Sequence, residues 1–153
     1  MPEPVPSFLS AESRQTMNEC EFTTDIVVRY RDLDPLDHVN HAVYASYLEA
    51  ARTDYLEAAL DVAPEEINFV IANLEIDYRR PIVKGDDPEV ALWVSRLGDS
   101  SCTMEYEIRV GSEVAATAET TMVHVDPDSK GPSPLPEETR EALEMSGAVE
   151  ASA

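Results

Sequence analysis

Tyr30-Arg31-Asp32-Leu33-Asp34-Pro35-Leu36-Asp37-His38-Val39-Asn40-His41-Ala42-Val43-Tyr44 is the stretch on which the chain turns. An alternating, strand-like run ends there, and a long amphipathic helix begins. Asp34-Pro35 favours an extended or turn conformation, because the proline ring crowds the preceding residue out of the helical region. Asn40 is placed to cap the helix by accepting a backbone N–H from the turn that follows it. The first N–H groups of a helix have no intrahelical acceptor and sit at the positive end of its dipole. The pattern therefore sets a carboxylate beside a cluster of free donors, a pairing that can attack and polarise a carbonyl.

Outward from that stretch the periodicities are clear. Glu21 to Tyr30 alternates, with Phe22, Ile26, Val28 and Tyr30 on one face, and predicts a strand. From Asn40 to Leu60, at about 100° per residue, Val43, Tyr44, Tyr47, Leu48, Ala51, Tyr55, Ala58 and Ala59 form one stripe, interrupted only by Asp54. Ser46, Glu49, Arg52, Thr53 and Glu57 fall opposite, and Glu49 with Arg52 predicts a surface ion pair. Val70 to Tyr78, Glu89 to Leu97, Cys102 to Val110 and Glu113 to Val125 predict four further strands. The last slips phase between Ala118 and Val123, which predicts a bulge near Thr120–Thr121. Gly85, Gly98 and Gly111 stand at breaks between runs. One strand, one long helix and four strands predict an α+β domain, an antiparallel five-stranded sheet wrapped around one long central helix. Residues 1–18, with three early prolines and a short helical piece around Ala11–Met17, predict an N-terminal tail. Residues 19–127 form the domain, and 128–153 predict a proline-rich acidic tail with a short helix from Glu137 to Met145.

The 153 residues suit one domain. No apolar run approaches the roughly 18 residues that span a bilayer, so no membrane association is expected. The N-terminus lacks a signal-peptide pattern, and Cys20 and Cys102 are too few for a disulfide framework, so reduced thiols in the cytoplasm are expected. The chain has 31 Asp and Glu against 11 Lys and Arg, a formal net charge of -20. Such self-repulsion destabilises a compact state at low ionic strength and is screened at high salt, a halophilic pattern. It also disfavours nucleic acid as a partner, since phosphate contacts need Lys and Arg. Asp34, Asp37, His38 and His41 fall within eight residues and could in principle bind zinc, but with no cysteine near them no metal is expected.

The pattern Asp-x-Asp-x-x-x-His-Val-Asn-x-x-x-Tyr from Asp32 to Tyr44 is followed by Tyr47-Leu48-Glu49-Ala50-Ala51-Arg52. Asp77-Tyr78-Arg79-Arg80-Pro81-Ile82 and Leu97-Gly98-Asp99-Ser100-Ser101 come after it in order. Together these resemble the 4-hydroxybenzoyl-CoA thioesterase-like branch of the hotdog-fold thioesterases, over roughly Glu21 to Asp126. The resemblance implies a hotdog fold and hydrolysis of an acyl-CoA to a carboxylic acid and coenzyme A, without cofactor. It implies Asp34 as nucleophile or general base, and the backbone N–H of His41 as a donor to the oxygen that becomes negative. It implies that Asn40 also orders the loop beside the thioester, and that two copies pair into a continuous sheet, as a homodimer or homotetramer.

The remaining roles are less fixed. Asp32 reads as structural, with catalysis as a fallback. His38 either faces a pocket or holds a backbone carbonyl, and Tyr44 is a pocket candidate. Asp37 stands where the family most often has glycine; it tolerates unusual backbone angles, and its charge would raise the pKa of Asp34 on close approach. Arg79, Arg80, Lys84 and Arg96 are the candidates for the phosphates of coenzyme A. Alternatives are a non-catalytic acyl-CoA-binding protein, or a thioesterase acting on acyl carrier protein. A hotdog hydratase is disfavoured, because its Asp-x-Asn-Pro-x-His arrangement is absent.

Overall fold

A computed structural model describes residues 21–63, 66–145 and the backbone of 150–151. The strands are β1 (Phe22–Asp25), β2 (Phe69–Tyr78), β3 (Pro88–Leu97), β4 (Ser101–Val110), β5 (Glu113–His124) and β6 (Glu150–Ala151); the helices are α1 (His41–Leu60) and α2 (Glu137–Glu144). Strands β1 to β5 form an antiparallel sheet in the order β1-β3-β4-β5-β2, with β6 added parallel to β3. This is the architecture that the motif resemblance implied. The expected N-terminal tail and its short helix lie outside the described residues, as does Cys20.

One face of the sheet is apolar because the strands alternate. Leu92, Tyr106, Ala118 and Ile76 lie abreast across β3, β4, β5 and β2, and all belong to the core or pack against it. Against that face lies α1, burying Tyr44, Tyr47, Leu48, Ala51, Tyr55 and Leu56. Truncating a fully buried side chain such as Leu48 to Ala would cost about 2–5 kcal/mol. Asn40 caps α1 as expected, its Oδ1 accepting from the Ala42 N–H at 2.9 Å. Asp61 ends the helix in a left-handed conformation, φ 55°. Asp54, the interruption in the apolar stripe, is exposed and accepts from the Thr24 hydroxyl of β1 at 3.2 Å.

Several expectations need correction. Ala58 is exposed and Leu56 takes its place in the core. Among the described residues the first strand pairs over Phe22–Asp25; Tyr30–Asp32 forms a 3-10 turn, which swings Tyr30 off the apolar face and leaves it 86 % exposed. The register of β5 against β4 is regular at Thr120–Thr121; the extra residue in β5 is Ala115, and another, Ala72, lies in β2 opposite Thr121–Met122. Arg52 does not pair with Glu49 but turns inward to donate to the Tyr106 hydroxyl at 3.2 Å. The segment after residue 128 is no tail as far as Met145: Leu135 and Leu143 are in the core, and Arg140 of α2 donates to the Gly98 carbonyl at 2.8 Å.

The opposite face of the sheet is acidic. Glu75, Glu119, Glu105 and Trp93 lie directly abreast on β2, β5, β4 and β3, beside an open cavity of about 470 Å³. On the same face Arg109 gathers Glu21 and Glu107, both within 3.1 Å.

Candidate active site

The turn before α1 is held by its own backbone. Leu33 and Val39 form an antiparallel bridge, the Asp34 N–H donates to the His38 carbonyl at 2.7 Å, and the Asp37 N–H donates to the Asp34 carbonyl at 2.9 Å. The loop is also stitched to the segment after β2. Val39 N–H donates to the Ile82 carbonyl at 2.7 Å, Lys84 N–H donates to the Asp37 carbonyl at 3.0 Å, and His38 bridges Val83. Val39 and Ile82 are buried beneath. Asp37 adopts φ 62°, a left-handed conformation that explains the usual glycine there.

Within this loop the two carboxylates two residues apart are treated differently. Asp32 is buried, and its Oδ2 accepts from the Tyr47 hydroxyl at 2.8 Å and from the Arg29 N–H at 2.9 Å. Burial and that bond push the Tyr47 phenol well above its usual range. Asp34 is partly exposed, and only its Oδ1 is engaged, by the Leu36 N–H at 2.9 Å and the His38 N–H at 3.1 Å. Its Oδ2 has no donor among the described residues. The His38 N–H bond lowers the carboxyl pKa below its usual value, against partial desolvation, and the Leu36 N–H adds to the effect. The net shift of Asp34 is downward, opposite in sign to the push that a closely approaching Asp37 carboxylate would give, and the Asp37 N–H donates to the Asp34 carbonyl.

The donors of the first turn of α1 can be counted in the same way. Ala42 N–H goes to the Asn40 side chain and Val43 N–H to the Asn40 carbonyl. His41 N–H has no acceptor among the described residues. The open oxygen of Asp34 and the open N–H of His41 therefore belong to one tight loop, and both remain available to a ligand.

Tyr78, at the end of β2, was given no site role in the sequence, where it closes an alternating run and falls within the Asp77–Ile82 motif. It is 45 % exposed, and its hydroxyl donates to the His41 carbonyl at 3.0 Å. Its ring meets those of His41 and Tyr44 edge-on, with centroids 4.9 and 4.8 Å away. The peptide between His41 and Ala42 is consequently held at both ends, by Tyr78 and by Asn40. Tyr44 is buried, and its hydroxyl accepts from the Ile82 N–H at 3.3 Å, so it braces the helix start rather than lining an open pocket. The signal for Tyr78 was its place just before Arg79-Arg80-Pro81, where the strand must end.

The cationic candidates are dispersed. Arg80 is engaged by Glu113 and Asp86. Arg79 lines the acidic cavity on the outer face. Lys84 is exposed beside Asp37, and Arg96 is exposed near the end of β3. Among the described residues no group of three or more His, Cys, Asp or Glu is arranged to hold a metal ion, and no helix is long and apolar enough to cross a membrane.

The model of the thioesterase-like superfamily matches residues 28–143. The long-chain acyl-CoA thioesterase FadM of Escherichia coli is 36 % identical over 127 residues, covering 80 % of this chain and 96 % of that protein. A 1,4-dihydroxy-2-naphthoyl-CoA hydrolase of Nostoc punctiforme is 28 % identical over 128 residues, covering 80 % and 86 %. Among solved structures, a Thermus thermophilus thioesterase complexed with coenzyme A and zinc is 42 % identical, with a TM-score of 0.74, covering 80 % of this chain and 91 % of that one. The chain belongs to the thioesterase-like superfamily of hotdog-fold enzymes.

Proposed function

We propose that the chain hydrolyses acyl-CoA thioesters to a carboxylic acid and coenzyme A, with Asp34 as nucleophile or general base and the His41 N–H polarising the thioester carbonyl. The observation that carries this reading is the pair of open valences in one loop, Asp34 Oδ2 and His41 N–H, beside an engaged Asp34 Oδ1, an engaged Asp32 Oδ2 and the engaged N–H groups of Ala42 and Val43. In the attack, electron density moves from Asp34, or from a water that it deprotonates, to the carbonyl carbon. The carbonyl oxygen gains negative charge and is stabilised by a donor already in position, which costs no reorganisation. Collapse expels the thiolate of coenzyme A; where Asp34 itself attacks, the acyl group is left on it as an anhydride, which water then cleaves to release the carboxylic acid and restore the carboxylate. Asn40 and Tyr78 are positioning residues, since each fixes one end of the peptide that follows His41. Arg79, Lys84 and Arg96 remain candidates for phosphate contacts, while Arg80 would first have to leave Glu113 and Asp86.

The acting unit in this reading is a homodimer or larger homo-oligomer. Strand β2 is an edge of ten residues that, among the described residues, pairs only with β5, and it exposes Val70, Ile71, Leu74 and Tyr78, each by more than 40 %. An unpaired apolar edge of that length is a template for a second copy. Light scattering in high salt that gave only monomer would overturn this part. A halophilic, cytoplasmic setting completes the proposal; its supports are the net charge of -20 and the buried Cys102 thiol, whose pKa is raised to about 12 by burial. The experiment that tests the function is a thiol-release screen over aliphatic and aromatic acyl-CoA esters in molar salt. Turnover of at least one ester is expected. Tight acyl-CoA binding with no thiol release from any of them would replace hydrolysis by a binding role.

A further inference from the structure

We propose that the edge of β3 beyond β1, from Trp93 to Leu97, is a strand-accepting site held by the chain's own C-terminal segment, and that this closure confines self-association to the β2 edge. It is independent of the hydrolytic reading above. Strand β1 covers β3 only over Glu89–Leu92, whereas β4 runs along the other side of β3 as far as Leu97. Past Leu92, among the described residues, β6 alone pairs with the side that β1 leaves, Glu150 opposite Arg96 and Ala151 opposite Leu97.

The sequence of β3 explains why that edge needs cover. From Val90 to Ser95 it has no charge, no glycine and no proline. Val90, Leu92 and Val94 are buried on one face, and Ala91 and Trp93 on the other. An uncharged strand that is apolar on both faces becomes a template for other chains wherever its backbone edge lies open. The β2 edge is built differently. It sets Asn73, Glu75 and Asp77, all exposed, between its apolar residues, and charges along an edge limit unspecific pairing. The bare stretch of β3 has no such protection of its own.

The chain after β5 is routed to supply it. Leu135 N–H donates to the Asp99 carbonyl at 2.9 Å, and Arg140 of α2 donates to the Gly98 carbonyl at 2.8 Å and the Asp99 carbonyl at 3.3 Å. Leu143 is fully buried in the core. Helix α2 is thus pinned to the turn that follows Leu97, beside the end of β3. From Met145 to Glu150 is five residues, a reach of at most about 17 Å. A second chain would have to find the same edge by collision, while this segment is already tethered next to it.

Two experiments on the full chain test the assignment. In the first, Arg96→Cys and Glu150→Cys are combined with Cys20→Ser and the protein is oxidised. Neighbouring strands run about 4.8 Å apart, within the Cα span of a disulfide. A disulfide within one chain is expected in most molecules, read as a single-chain band on a non-reducing denaturing gel with the engineered thiols blocked. Free thiols would overturn the pairing, and a disulfide between two chains would make a second copy the occupant. In the second, Glu150→Pro with Ala151→Pro removes both N–H groups of β6. Hydrogen exchange of the Trp93–Leu97 amides that point away from β4 is expected to quicken at least tenfold, with α1 unchanged. Light scattering in high salt should give at least twice the parental mass. Unchanged exchange would overturn the occupancy, and faster exchange at the parental mass would overturn the role in assembly. If exchange quickens in α1 as well, the variant has lost its fold and the cross-link decides alone.

Discussion

The turn at 32–41 and the outer face of the sheet are both crowded with carboxylates, and the protein handles them in opposite ways. In the turn, backbone N–H groups meet the carboxylates: Asp34 is lowered below its usual range by the His38 and Leu36 amides, and Asp32 is closed off by Tyr47 and Arg29. On the outer face Glu75, Glu119 and Glu105 stand abreast with no backbone donor to spare, because the sheet uses its amides in its own ladder. There burial raises the Glu105 carboxyl, its bond with Ser95 opposes this, and the charge of Glu119 adds to it. The cavity beside the glutamates, about 470 Å³, is larger than the groove of about 410 Å³ beside the turn. In the proposed function, therefore, size and negative charge do not mark the reactive place; unengaged valences beside fixed donors do.

Substitutions can break or sharpen this contrast. Asp34→Asn is expected to lower kcat by about a thousandfold, within the usual range for a general base, with a melting temperature close to the parent. Glu105→Gln on the outer face should keep thiol release. Comparable losses from both would erase the distinction. Asp32→Ala leaves the Tyr47 hydroxyl buried without its acceptor and should cost about 2 kcal/mol of stability in urea titrations. Tyr78→Phe keeps the ring contacts and removes the bond to the His41 carbonyl. Its kcat should fall about tenfold, or about 1.4 kcal/mol of barrier, with KM near parental. A rise in KM alone would assign Tyr78 to binding.

The smallest effect belongs to the outer face. Glu119→Gln removes the middle of three like charges and should stabilise the protein by about 0.5 kcal/mol at pH 7 and low salt. Molar salt should abolish that gain. The pH dependence has opposite signs in the two regions. The raised Glu105 takes a proton in the folded state first, so stability from this group grows as pH falls through its folded value and is complete below the usual 4.5. The lowered Asp34 contributes stability above its usual 3.8 and loses it as pH falls through its folded value. Activity should accordingly persist to pH values where ordinary carboxylates are protonated. Thermal melts and kcat/KM profiles read the two separately.

Periodicity made the fold legible. Alternation located β2 to β5, and the helical stripe with the Asn40 cap located α1. Asp34 and the His41 amide were legible only because the order of motifs resembles a family, since an Asp before Pro marks many turns. What stayed hidden depends on tertiary contact. The hydroxyl of Tyr78 reaches the His41 carbonyl across 37 positions, and Arg52 leaves its helix face for Tyr106 across 54. No local pattern records such pairs. Leu143 likewise turned an acidic, proline-flanked segment into part of the core, an effect of one leucine that composition averages away.

The most direct measurement is a crystal structure of the full chain with a non-hydrolysable acyl-CoA ketone, in which carbon replaces the thioester sulfur. The account predicts the ketone oxygen about 3 Å from the His41 nitrogen, with its carbonyl carbon facing Asp34 Oδ2. An analogue seated by Trp93 on the outer face, or a ketone turned away from the start of α1, would contradict it.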